Sequence, residues 1–134
     1  MATFNKFNAW AENMVEVANL ASDQFVIALT DTAPSATNSV LADITQISYT
    51  NLSSRNITTT SSSQTGGTQT LVLADLIMTA TGSVGPFRYV VLFDDTPTSP
   101  ADPLVGWWDY GSSITLANGD SFTVDFTGAA ITLS

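Results

Sequence analysis

From Phe4 to Leu20 the apolar residues Phe7, Trp10, Ala11, Met14, Val17 and Ala18 recur at spacings of three and four. That periodicity belongs to an amphipathic helix laying one stripe on a neighbouring surface. It predicts a helix over residues 3–20, with Thr3 as N-cap and Glu12 and Glu16 on the polar flank. No Glu or Gln stands three residues after Thr3 to complete a capping box. Beyond this segment the period shortens to two. Phe25, Ile27 and Leu29 alternate in QFVIALT, and DTAPSATN ends that strand with proline and turn formers. SVLADITQI fits one helical turn or a strand equally well.

The tract NITTTSSSQTGGTQT, residues 56–70, reads as an edge hairpin or exposed arm turning at Gly66-Gly67. Farther on, LVLADLIMTAT, FRYVVLFDD, PLVGWWDYG, SITL, SFTVDF and AAITLS each read as a strand. Strict alternation puts Phe87, Tyr89, Val91 and Phe93 on one face and Val90 and Leu92 on the other, so this strand is predicted to be central. Asn118-Gly119 predicts a hairpin between SITLA and DSFTVDF, with Phe122, Val124 and Phe126 inward and Thr123 and Asp125 toward water. The expected fold class is therefore mainly β: a β-sandwich or jelly-roll-like domain with one N-terminal amphipathic α-helix. The 134 residues read as one domain, with the helix at 3–20, the sandwich at 24–134 and a polar exposed tract at about 51–69.

Composition narrows the function. Hydrophobic residues make up 44% of the chain and charged residues only 11%, which selects a packed globular protein over a disordered one. Its surface hydroxyls, dense from Thr45 to Thr70, suit the solvent side of strands. The formal net charge is −9, and the basic residues are Lys6, Arg55 and Arg88 alone. Nucleic acid is not an expected partner, because phosphate affinity needs clustered cations, and an anionic membrane is disfavoured for the same reason. No apolar run reaches membrane-spanning or signal-peptide length, so synthesis in a cytoplasm is expected. Cysteine and histidine are both absent, which removes thiolate and imidazole chemistry.

Lys6 is the single lysine, at the start of the predicted helix, a poor position from which to activate a serine. Asp94, Asp95 and Asp102 flank DDTPTSPAD and offer oxygen ligands of the kind calcium takes. The same pattern more often marks a solvated turn, and no Asp-x-Asp-x-Asp-Gly loop occurs. No carboxylate pair is singled out as a glycosidase would require. The reading is therefore a non-enzyme without catalytic residues, cofactor or metal.

Trp107 and Trp108 raise a separate question, since strand neighbours point to opposite faces. One reading buries one indole in the core and packs the other beneath the helix that carries Trp10. The other leaves one of them, with Tyr110, at an interface with another chain. Pro103 and Gly106 imply that this strand is bent or at an edge.

MATFNKFNAW, VIALTDTAPSATNSVLADIT and GSVGPFRYVVLFDDTPTSPADPLVGWWDYGSS together resemble a family of small structural proteins encoded among the virion genes of tailed bacteriophages. The resemblance covers most of the chain, is strongest from Gly82 to Ser113 and weakest from Asn51 to Gln69. It implies a virion component made in the host bacterial cytoplasm, and it carries no catalytic motif. The leading expectation is a capsid decoration or cement protein that binds the major capsid protein lattice as a small homo-oligomer. The alternatives are a tail or head-to-tail joining protein and, from another class, a glycan-binding module of a fibre or tail tip, with tryptophan, Asp109 and Tyr110 as its sugar platform. Interface candidates are Trp107, Trp108, Tyr110, Phe4 and Trp10. On the interface reading, Trp108→Ala should leave the domain folded.

Overall fold

The computed structural model describes residues 3–126 and 131–133. The chain is mainly β, with several antiparallel sheets and one short helix. In order the elements are β1 (Phe4–Lys6), α1 (Trp10–Glu16), β2 (Phe25–Thr30), a 3-10 turn (Leu41–Asp43), β3 (Asn56–Ile57) and β4 (Thr59–Thr65). Then follow β5 (Thr68–Leu73), β6 (Leu76–Thr79), β7 (Val84–Asp94), β8 (Leu104–Leu116), β9 (Ser121–Val124) and β10 (Ile131–Leu133). Of the strand predicted in AAITLS, Ala129, Ala130 and Ser134 lie outside the described residues.

A five-stranded sheet, ordered β1-β8-β7-β2-β3, organises the molecule. Its main face carries Ile27, Leu29, Val90, Leu92, Val105 and Trp108, which pack with Leu71 and Leu73 of β5, Met78 of β6, Val124 of β9 and Trp10 of α1. The opposite face carries Val26, Ala28, Val91, Phe93 and Leu104, covered by Phe7 and Ile44. All six residues of β2 are consequently buried, as expected of a strand covered on both sides. As its two apolar faces predict, β7 lies between β8 and β2.

The serine and threonine tract is a hairpin of β4 and β5 in which Thr65 pairs with Thr68. Gly66 and Gly67, at φ 58° and 87°, form its two-residue turn, where two positive φ values favour glycine. SVLADITQI resolves into the 3-10 turn, with Val40 bridging to Pro103.

The N-terminus departs from its pattern. Helix 3–20 is replaced by β1 and an α1 of seven residues whose N-cap is Ala9, not Thr3. Pairing decides this: β8 offers an edge, and Phe4, Asn5 and Lys6 take the partners Trp108, Trp107 and Gly106. Phe7 then drops onto the second face, while Trp10 returns to the main core. A single helical stripe could not serve both faces of one sheet.

Two further departures come from register. PLVGWWDYG and SITL form one strand, β8, which bulges where Tyr89 pairs with Asp109 but Phe87 pairs with Ile114. That shift puts Phe87 on the main face with Val90 and Leu92 rather than with Val91 and Phe93. A second shift between Leu92 and Phe93 places Val105 with Trp108 and Leu104 with Trp107. Strand β8 is thus bulged, as Pro103 and Gly106 suggested, but lies one place inside the sheet edge.

The Asn118-Gly119 turn forms without its hairpin. Asp120 N–H donates to Ala117 O at 2.9 Å, closing the turn. The last residues of β8 are already paired with β7, so β9 crosses to β6 instead. Val124 and Phe126 face inward as predicted, with Phe122 half-buried and Thr123 and Asp125 exposed.

Gly106 is where β1 closes on β8. A Cβ there would collide with the Phe4 ring and lie 2.7 Å from the backbone oxygen of Asn5. Gly106→Ala should therefore push β1 outward, lowering stability by about 1–3 kcal/mol. Urea unfolding reads that loss, and amide hydrogen exchange should show lost protection at Phe4–Lys6 while the pairing of β7 with β2 stays protected.

Candidate functional site

The two tryptophans divide between the faces of β8. Trp108 is 6% exposed in the main core, its ring 4.9 Å from Phe4 and 5.6 Å from Phe126. Trp107 is half-buried on the other face, its ring 4.6 Å from Phe7. The helix packs on the Trp108 side, so Trp107 lies beneath Phe7 and not beneath α1. Tyr110 is half-buried against Phe122 at 5.1 Å, and Trp10 is 2% exposed. Of the five interface candidates only Phe4 is exposed, at 36%.

That exposure has neighbours. Val15 at 66% and Leu133 at 48% complete three of the four large hydrophobics exposed among the described residues; Ile77 on β6 is the fourth. Phe4, Lys6, Trp10, Met14, Ile131 and Thr132 line a cavity of about 260 Å³ between β1, α1 and β10. At Met14 it adjoins a wider depression of about 560 Å³, walled by Val15, Ala18 and Leu20 on one side and by Ser62, Gln69 and Leu133 on the other. The result is a trough along α1, apolar between β1 and β10 and mixed toward Asn19, Ser62 and Gln69, bordered by two strands that each have one sheet neighbour among the described residues. Trp10 belongs to this lining, and its indole N–H is buried without an acceptor.

The periodicity of α1 carried part of this signal. Met14, Val17 and Ala18 are only half-buried, so the stripe is broader than the surface it covers. The opposite wall was not legible, because β10 reaches the trough through a pairing with β5 far earlier in the chain.

The acidic loop does not converge. Asp94 turns inward and is fully buried, facing Asp23, whereas Asp95 is exposed and in hydrogen-bonding reach of Asp102. Among the described residues no group of three or more acids could hold a metal ion. Burial, with Asp95 nearby, raises the Asp102 carboxyl above the usual carboxylate range.

Both arginines are engaged within the chain. Arg88 grips Asp109 through Nε at 2.8 Å and Nη2 at 3.1 Å. Asp109 also accepts the Gly111 N–H, and the two contacts hold its carboxyl below the usual range. The polar group that a sugar platform beside Trp107 would use is thereby occupied. Arg55 lies over the Tyr49 ring at 3.7 Å and donates to Ile27 O at 2.6 Å. Among the described residues no helix is long and apolar enough to cross a membrane.

Comparison with protein-family models, with curated proteins and with solved structures gave no match.

Because Trp108 fills the core, its replacement acts on the fold first, contrary to the expectation of a folded variant. Trp108→Ala should cost about 3–5 kcal/mol, the usual price of truncating a buried tryptophan. Chemical denaturation should show this loss, together with loosened attachment of β1, whose Phe4 rests on the same indole.

Proposed function

We propose that this chain is a structural protein of a tailed-phage virion, a β-sandwich-type decoration protein that binds the major capsid protein lattice through the α1–β1–β10 trough. The observation that carries the reading is the gathering of Phe4, Val15 and Leu133 along one trough on a chain of net charge −9. Contiguous exposed apolar surface on a soluble domain marks a contact site, and strand edges beside it can accept an extended segment by main-chain pairing.

A decoration protein acts by repetition. A small homo-oligomer engaging neighbouring capsid subunits gains avidity from sites held at a fixed spacing, so each trough needs only modest affinity. The exposed hydroxyl-rich hairpin and the acidic surface keep the outer side from sticking to itself. The resemblance of the Gly82–Ser113 block to small virion proteins supplies the setting, and the trough supplies the means of attachment.

Val15→Asp and Leu133→Asp place charge in the trough without touching the core. Each should lower occupancy on purified particles about tenfold or more, the effect of losing an anchor residue, while the thermal midpoint of the free protein stays that of the parent chain. Quantitative mass spectrometry against the major capsid protein reads the occupancy. A wild-type ratio within a few-fold of one is expected; single-ring copy numbers would place the chain on the tail axis, and absence from particles would overturn the virion reading.

A further inference from the structure

Asp94 ends β7 with its side chain fully enclosed. Its Oδ1 accepts the amide of Thr96 at 3.3 Å, but its Oδ2 is buried with no donor. Facing it within hydrogen-bonding reach is Asp23, 9% exposed, whose Oδ2 accepts the Asn19 N–H at 2.9 Å. Ionised carboxylates only accept hydrogen bonds, so two of them can join only through a proton. The remaining charged neighbour of Asp94 is Asp95, also acidic. On the other sides, β2 contributes Phe25 and the β7–β8 connection contributes the Pro103 carbonyl, which accepts the Asp94 N–H at 3.0 Å. The ion pair Arg88–Asp109 involves none of these acids.

We infer that Asp94 keeps its proton in the folded chain and donates it to the Asp23 carboxylate, and that this bond is a pH-operated latch clamping the turn of residues 19–24 to the connection between β7 and β8. The surrounding bonds make the turn a unit. Asp23 N–H donates to Asn19 O at 2.8 Å, Gln24 N–H to Thr96 Oγ1 at 2.8 Å and Asp95 N–H to Gln24 O at 2.9 Å. With the proton present, an O–H···O⁻ bond closes this network. Without it, two like charges occupy one enclosed space, and the turn must move outward to hydrate them. Asn19, Leu20 and Ala21 also form one end of the trough, so opening would reshape it. That last consequence rests on the contact reading; the latch itself does not.

Burial first, and then the bond to Asp23, push the Asp94 carboxyl up to about 8. A folded-state pKa raised above the unfolded one contributes stability that is full below the ordinary carboxylate range and is lost as pH rises toward 8. Across that window the native state holds a proton that the unfolded chain does not, so one proton changes the equilibrium about tenfold per pH unit. Above the window the dependence levels off.

The test is urea unfolding of the full chain from about pH 5 to about pH 9, beside Asp94→Asn and Asp23→Asn. The wild type should lose stability about tenfold in equilibrium constant per unit below pH 8. Asp94→Asn keeps a donor toward Asp23 without a titrating proton, so its profile should flatten. Asp23→Asn removes the facing charge but leaves Asp94 buried, so its decline should end at a lower pH than that of the wild type, which keeps the test usable if one variant fails to fold. Amide exchange at Asn19, Asp23 and Asp95 should accelerate beyond the intrinsic rate over the same window. A flat wild-type profile, or the same decline in both variants, overturns the latch. So does stabilisation by calcium chloride at high pH that Asp94→Asn abolishes, which would make the pair a cation site. None of these outcomes depends on particle binding, so failure of the latch and failure of the contact reading are separable.

Discussion

Neighbouring residues of a strand project to opposite faces, so two adjacent indoles in β8 can be buried only if the sheet is covered on both sides. Much of the molecule answers to that constraint. The main face of the five-stranded sheet receives the smaller sheets and Trp10, while the other receives Phe7 and the segment around the 3-10 turn. To cover both, the N-terminal chain rounds the sheet edge, placing Phe4 on Trp108, Phe7 on Trp107 and Trp10 back in the main core. The aromatic spacing that resembles one long helical stripe is the trace of this winding path.

The two borders of the large sheet are finished differently. Beyond the short β3, the outer edge of β2 is sealed by loop groups: Ile27 N–H donates to Arg55 O, Leu29 N–H to Tyr49 Oη and Ile47 N–H to Leu29 O. Such cover is how β proteins avoid unwanted strand pairing. At the opposite border β1 has β8 as its one neighbour among the described residues, and the apolar trough opens beside it. The chain thus closes one edge with an arginine, a tyrosine and backbone bonds and leaves hydrophobic side chains beside the other.

Charge is distributed by the same economy. With few cations, most carboxylates are left to solvent or to backbone amides, as Asp43 is with Ser39 and Val40, which hold its carboxyl below the usual range. Asp94 differs because folding encloses it against a second acid, and that enclosure makes a local acid–base property out of a position that reads in sequence as one member of an ordinary acidic loop.

Local chemistry was legible wherever neighbours in the chain are also neighbours in space. The period of two in β2 and over Val90–Phe93 of β7, the Gly66-Gly67 hairpin, and the burial of Val124 and Phe126 all follow from alternation and turn preference. Asn118-Gly119 marks the limit: the turn is there, but its hairpin is not, because β7 had already taken the end of β8. By itself, then, the sequence determined that this is a β-rich, acidic, densely packed protein whose paired tryptophans point to opposite faces of one strand. Only the tertiary structure decided that residues 4–6 are a strand, that bulges move Phe87 and Val105 to the main face, and that β10 meets α1 across a trough. It also set Asp23 against Asp94. Each of these depends on which distant segments compete for a strand's edge or face, and that competition is resolved by packing rather than by local preference.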